Sequence, residues 1–300
     1  MAEPAAIRAL RHLAEAAVAL AGFALFRILP IDAASALGGA IARAIGPRLP
    51  MSRHAVANLR AAFPDLEPDE IAGVVRGVWD TVGRTFAEFP HLDAITKDAG
   101  TPGARVVVEG HDTLGALRAG GAALLFSAHL ANWEMFASAL AALGVPYAQV
   151  YRDPNNPYVS WLARKVRRVV PEDRVPKGAE GARMALAVLG RGGRLGMLVD
   201  QKMNDGIAVP FFGREAMTAP ALARFALRFG CPVVPVRLER TGGARFRVTF
   251  YPPLPVEDTG DRAADAAAIM ARVNRVIEGW IRERPGEWLW IHRRWPDAGR

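Results

Sequence analysis

The sequence predicts an α/β fold: a mixed central sheet flanked by helices, preceded by a helical, membrane-associated segment at the N-terminus. Three observations predict it. From Arg105 onward, short apolar runs alternate with stretches of helical periodicity. Before that point only helical periodicity occurs. With 300 residues, 51% of them hydrophobic, the chain can bury one large core. The expected organisation is a membrane-anchoring helix over 1–30 and one domain over 31–300, helical over 31–100 and sheet-containing over 101–300.

The elements follow in order. Ala14 to Leu29 is strongly apolar but interrupted by Glu15 and Arg27. Its uncharged core, Ala16 to Phe26, is well short of the roughly 20 residues of a clean span. No small-residue cleavage site of the signal-peptide type follows. A helix lying in the interface, with Arg8, Arg11 and Arg27 at headgroups, fits this pattern; a core helix is the other reading. Helical periodicity continues over Ala33–Ile45, Met51–Ala62 and, after the turn-rich Pro64 to Pro68, over Asp69–Glu88. About six strands are expected: Val106–Val108, Ala122–Phe126, Val145–Tyr151, Leu195–Asp200, Pro232–Leu238 and Phe246–Tyr251. Helices are expected between most of them: Leu114–Arg118, Trp133–Leu143, Tyr158–Val169, Ala179–Leu189 and Pro220–Phe229. Thr241-Gly242-Gly243 predicts an antiparallel hairpin joining the last two strands, and Arg262–Arg284 a final helix. Gly206 to Gly213, apolar and bounded by Pro and Gly, reads as a loop, either the wall of an acyl groove or a loop tucked into the core.

Composition narrows the partners. The net charge is +8, carried by arginine, with only Lys97, Lys165, Lys177 and Lys202 as lysines. Such a surface suits phosphorylated lipids, anionic headgroups or an acidic protein. Nucleic acid is not expected, because no zinc-finger spacing, aromatic RNP pattern or long basic tract occurs. Cys231 is the single cysteine; an intrachain disulfide and a cysteine metal cluster are excluded. The scattered histidines include no His-x-x-x-His pair, so no metal is expected.

The chemistry-bearing stretch is His129-Leu130-Ala131-Asn132-Trp133-Glu134, directly after an apolar strand. Residues five apart are rotated by about 140° on a uniform helix, so His129 and Glu134 meet only if His129 lies on the loop before the helix. Glu134 would then sit in the first turn, where the helix dipole favours a carboxylate. The plainer reading is a partly buried histidine beside an ordinary first-turn acid. Arg152 ends the next strand, where a guanidinium can hold a phosphate or an oxyanion or simply pair on the surface. Asn156 stands in a Pro-rich turn that it can shape. Asp200 and Gln201 end a further strand, at the edge where ligand contacts gather in α/β sheets. The segment Trp288 to Trp295, aromatic and basic, suits a membrane interface or a strand that closes the core.

These segments together resemble the bacterial lipid A late acyltransferases, the lauroyl and myristoyl transferases of lipopolysaccharide synthesis. The resemblance runs over nearly the whole chain. It rests on His129-x-x-Asn132-Trp133-Glu134, Val150-Tyr151-Arg152 with Asn155-Asn156-Pro157, Asp200-Gln201-Lys202, Val209 to Gly213 with Thr218, and Trp288 to Trp295. The wider glycerolipid acyltransferase superfamily commonly has aspartate where Glu134 stands, and the Phe-Pro-Glu-Gly block of its glycerol-phosphate branch is missing.

The resemblance implies direct transfer of a fatty acyl chain, lauroyl foremost, from acyl-acyl carrier protein to the 3-hydroxyl of an acyl chain on a phosphorylated, Kdo-bearing lipid A precursor. His129 would be the general base and Glu134 would orient it, with no acyl-enzyme, cofactor or metal. Asn132, Arg152, Asn156, Arg164, Asp200 and Gln201 would bind substrate, and Trp133, Phe211 and Phe212 would line the acyl groove. The place of action would be the cytoplasmic face of the inner membrane. Alternatives are O-acylation of another glycolipid or aminolipid, thioester hydrolysis, and a non-catalytic lipid-binding protein.

Overall fold

The computed structural model describes residues 5–151, 156–166, 174–176 and 178–295. Five helices come first: α1 (Ala5–Ile28), α2 (Ile31–Ile45), α3 (Ser52–Ala62), α4 (Pro68–Glu88) and α5 (Leu92–Thr96). Pro68 opens α4 at a position where no N–H is needed, and Glu67 and Glu70 close a capping box around it. Helices α2 and α4 pack closely because glycines face each other. A Cβ on Gly38 or Gly83 would come within 2.6 Å of the other's backbone carbonyl.

The remaining elements build the sheet and its cover: β1 (Val106–Glu109), α6 (His111–Ala119), β2 (Ala123–Ser127), α7 (Met135–Ala142), β3 (Ala148–Tyr151), α8 (Pro157–Val166), β4 (Arg174–Pro176), α9 (Ala179–Gly190), β5 (Arg194–Leu198), β6 (Lys202–Phe211), β7 (Arg214–Thr218), α10 (Ala221–Phe229), β8 (Val233–Gly242), β9 (Arg245–Phe250) and α11 (Arg262–Glu283). Seven strands form one sheet in the order β1-β9-β8-β2-β5-β3-β4. Only β8 and β9 pair antiparallel, so the sheet is mixed as expected. Central β2 is buried along its whole length, as a parallel strand covered on both faces must be. Its side chains alternate between two cores: Leu124 and Phe126 join one, Ala123 and Leu125 the other.

Three strands were not expected from the sequence: the short β4, and β6 and β7. The Gly206 to Gly213 segment is no loop: β6 and β7 form a separate antiparallel hairpin. Phe212 and Gly213 make its tight turn, both with positive φ (52° and 68°), the geometry of a two-residue turn that matches strand twist. Proline and glycine within β6 conceal it, since both ordinarily mark breaks. The last expected strands are present, with Gly242 and Gly243 at their junction.

Helix α1 contains the one candidate among the described residues, Ile7–Ile28, long and apolar enough to cross a membrane by length and composition, and almost none of it is buried. It runs past the charges that limited the sequence reading, because Arg27 falls at its end and Glu15 is occupied elsewhere.

Candidate active site

The site is assembled by strand register. β2 and β5 run parallel with Ser127 opposite Leu198, so two residues beyond each strand end His129 and Asp200 arrive side by side. The Val199 N–H still donates to the Ser127 carbonyl at 3.2 Å. His129 Nδ1 lies 2.8 Å from Asp200 Oδ1, and the His129 backbone N–H donates to Oδ2 at 3.0 Å. This is the crevice outside the carboxyl ends of the strands where α/β proteins hold ligands.

Asp200 is almost wholly buried. Burial alone would raise its pKa. The charge of His129, the hydrogen bonds from the His129 ring and backbone and that from the Trp288 indole outweigh it, and the carboxyl is held down at about 2. The Trp288 Nε1–H donates to Oδ2 at 2.7 Å. An Asp200 ionised at neutral pH accepts from an Nδ1–H, the tautomer that leaves Nε2 of His129 as an acceptor. The Gln201 amide reaches Nε2 at 3.2 Å. The His129 ring keeps some solvent access, its side chain 16% exposed against 2% for Asp200. The Trp133 and His292 rings stand 5.8 and 6.2 Å from it, centroid to centroid.

The turn carrying His129 is held from behind. Ala131 takes a left-handed φ of 47°, a conformation that costs a non-glycine residue of order 1 kcal/mol or more. Its N–H donates to the Glu287 carbonyl at 3.0 Å, and its own carbonyl accepts from Thr85 Oγ1 at 3.1 Å. Leu130 bridges Trp288, and the Leu289 N–H donates to the His129 carbonyl at 3.1 Å. The C-terminal segment therefore straps the His129 turn from the protein side. Trp288, Trp290 and Trp295 are buried, so the core-closing alternative describes them and the membrane-interface alternative does not.

Asp200, Gln201 and Trp133 gather at His129. Glu134 stands at the N-cap of α7. Both ring nitrogens of His129 face residues just past β5, Nδ1 at Asp200 and Nε2 at Gln201, so Asp200, read in the sequence as a substrate ligand, touches the ring. Asn132 is fully buried and donates from Nδ2 to Glu88 Oε2 at 2.8 Å. Asn156 caps α8: its Oδ1 accepts from the Tyr158 N–H at 3.0 Å, and its Nδ2 donates to the His12 carbonyl at 2.8 Å and to Glu15 at 2.9 Å, tying α8 to α1. Phe211 and Phe212 pack in a buried aromatic cluster with Trp288, Trp290 and Trp295. Arg152 lies outside the described residues, and so does the side chain of Arg164, which falls on α8.

Sequence reasoning missed Glu88, Thr85 and Arg240. Glu88, without solvent exposure, accepts from Ser35 Oγ at 2.6 Å and from the two Arg240 amino groups at 2.5 and 3.0 Å. Nothing local in the sequence marks a mid-chain glutamate at a helix end as the partner of an arginine in a distant hairpin.

A family model described as bacterial lipid A biosynthesis acyltransferase matches residues 4–297. A search of curated proteins finds no match.

Proposed function

Since the chain belongs to the bacterial lipid A biosynthesis acyltransferase family and is thus an acyltransferase of lipid A synthesis, we propose that it moves a fatty acyl chain, lauroyl foremost, from acyl-acyl carrier protein to the 3-hydroxyl of an acyl chain on a phosphorylated Kdo-lipid A precursor. The reaction runs at the cytoplasmic face of the inner membrane. The single observation that carries the mechanism is the 2.8 Å contact between His129 Nδ1 and buried Asp200.

The acceptor hydroxyl takes the place of the Gln201 amide at Nε2. His129 removes its proton as the oxygen attacks the thioester carbonyl, and Asp200 stabilises the resulting imidazolium. The tetrahedral oxyanion is met by Arg152 or by backbone amides at the start of α7. As it collapses, the carbon–sulfur bond breaks and the imidazolium returns the proton to the leaving thiolate. No acyl-enzyme forms. Arg152 and Arg164 meet the phosphates of the acceptor. Trp133, beside His129, borders the acyl chain, and Phe211 and Phe212 support that wall from the core. Glu134 remains a second carboxylate near the reacting centre.

The test is acyl transfer from acyl-acyl carrier protein to a lipid A precursor, followed by mass spectrometry of the product. His129→Ala is expected to lose activity by ~10²–10⁴-fold while keeping its circular dichroism spectrum. A near wild-type rate in folded His129→Ala would remove the general base from the proposal. Wild-type release of free fatty acid without acceptor would favour hydrolysis.

A further inference from the structure

Helix α2 buries one face against α4 and leaves the other open. Leu37, Ile41 and Ile45, four residues apart and therefore on one side of the helix, are 40, 45 and 55% exposed. Leu49 and Met51 extend the same exposed apolar character past the end of α2, and Ile28, at the end of α1, precedes it. Large apolar side chains placed contiguously in solvent mark a contact surface.

Where this ridge ends, the charge begins. A cleft of about 730 Å³ opens between the α2–α3 connection, α3 and the β6–β7 hairpin, lined by Arg48, Arg53, Arg60 and Arg214. Arg53 and Arg60 are seven residues apart on α3, within about 20° of each other around the helix, and the opposite face of α3 is buried. Among the described residues Arg53, Arg60 and Arg214 have no carboxylate partner, while Arg48 donates to the Ala44 carbonyl. Leu49 lines the cleft too, so the apolar ridge and the arginines share one rim.

An apolar helix face bordered by unpaired arginines is the pattern of an element lying in a bilayer interface: aliphatic side chains enter the acyl region and guanidinium groups meet phosphates. We infer that the open face of α2 and the arginine cleft at its end form a docking surface for an anionic phospholipid layer, separate from the catalytic crevice and additional to α1. The inference rests on the proposed function only in that the acceptor is a lipid. An acidic protein would meet the arginines equally well, but it gives no reason for three aliphatic side chains in line beside them.

Full-length protein is mixed with vesicles of phosphatidylcholine alone and of phosphatidylcholine with phosphatidylglycerol, and the bound fraction is read by co-sedimentation. The expected wild-type result is a preference for the anionic vesicles that fades near 1 M salt, where the Debye length falls to about 3 Å. The R53Q/R60Q/R214Q variant should lose about a hundredfold of that preference, at roughly fivefold per arginine. The L37S/I41S/I45S variant should bind both vesicle types more weakly. Both sets change exposed residues outside the catalytic crevice, so transfer to a detergent-dispersed acceptor should stay at the wild-type rate. An R53Q/R60Q/R214Q variant with the wild-type preference for anionic vesicles overturns the inference. If that variant keeps its vesicle binding but loses affinity for an acidic carrier protein, the cleft belongs to the carrier and the lipid assignment is wrong. Vesicle binding is read without catalysis, so absence of acyl transfer in the wild type would sink the proposed reaction and leave this result standing.

Discussion

Asp200 owes its part to charge held in a buried place. Its pKa of about 2 against an ordinary 3.8 means that it is ionised throughout the neutral range. The depressed folded value also sets a stability term. That term is fully present above the unfolded pKa and is lost as pH falls from about 4 towards 2; it is on the order of 2 kcal/mol. Asp200→Asn keeps the shape and removes the charge. Transfer by this variant should drop by ~10²–10⁴-fold, and urea unfolding measured between pH 5 and 2 should show a shallower decline than wild type. The sequence made His129 legible, because a histidine directly after a buried strand is exposed by the fold. It did not make its partner legible. Glu134 is five residues away and Asp200 is seventy-one, and only the register of two strands decides between them.

Elements that repeat a simple period were the easier ones to read. The helices of the first ninety residues and the strands β1, β2, β5, β8 and β9 follow from apolar periodicity and turn residues, since burial dictates both. The β6–β7 hairpin was hidden because its turn uses Phe212, a bulky residue held at positive φ by the aromatic cluster around it. Tertiary packing there overrides the usual turn chemistry. The α2–α4 contact was equally silent, yet it bears on the site, because α4 carries both Thr85 and Glu88. A Cβ on Gly83 would lie 2.2 Å from the Gly38 carbonyl oxygen, and backbone cannot step aside as a flexible side chain can. Gly83→Ala should therefore push the two helices apart and cost about 1–3 kcal/mol by overpacking. Thermal unfolding should show the loss, with a fall in kcat if the supports of Ala131 move with α4. An unchanged melting temperature would mean that the helix pair absorbs the methyl group without strain.

At the scale of the molecule, the proposed active site is built from regions far apart in the chain. The turn after β2 supplies His129, the end of β5 supplies Asp200, the C-terminal segment supplies Trp288, and α4 braces the turn through Thr85. Glu88 joins three more pieces: Ser35 of α2, Asn132 of the His129 turn and Arg240 of β8. A buried ion pair of this kind gains little over well-packed apolar groups, because desolvation offsets its attraction. Loss of one member alone is costly, since the other charge is left uncompensated, typically by 3–5 kcal/mol. Glu88→Ala and Arg240→Met should each destabilise by that order, and the double variant by clearly less than the sum. The coupling energy from such a cycle is read by urea unfolding. The catalytic consequence separates two kinds of support. Glu88→Gln removes the charge but keeps an oxygen for the Asn132 amide, so its activity loss should be smaller than that of Glu88→Ala after both are compared well below their melting temperatures. Equal losses would show that the catalytic turn depends on the ion pair with Arg240 rather than on the hydrogen bond to Asn132. Additive stability effects would show that Glu88 and Arg240 act as separate props of the helical and sheet-bearing parts.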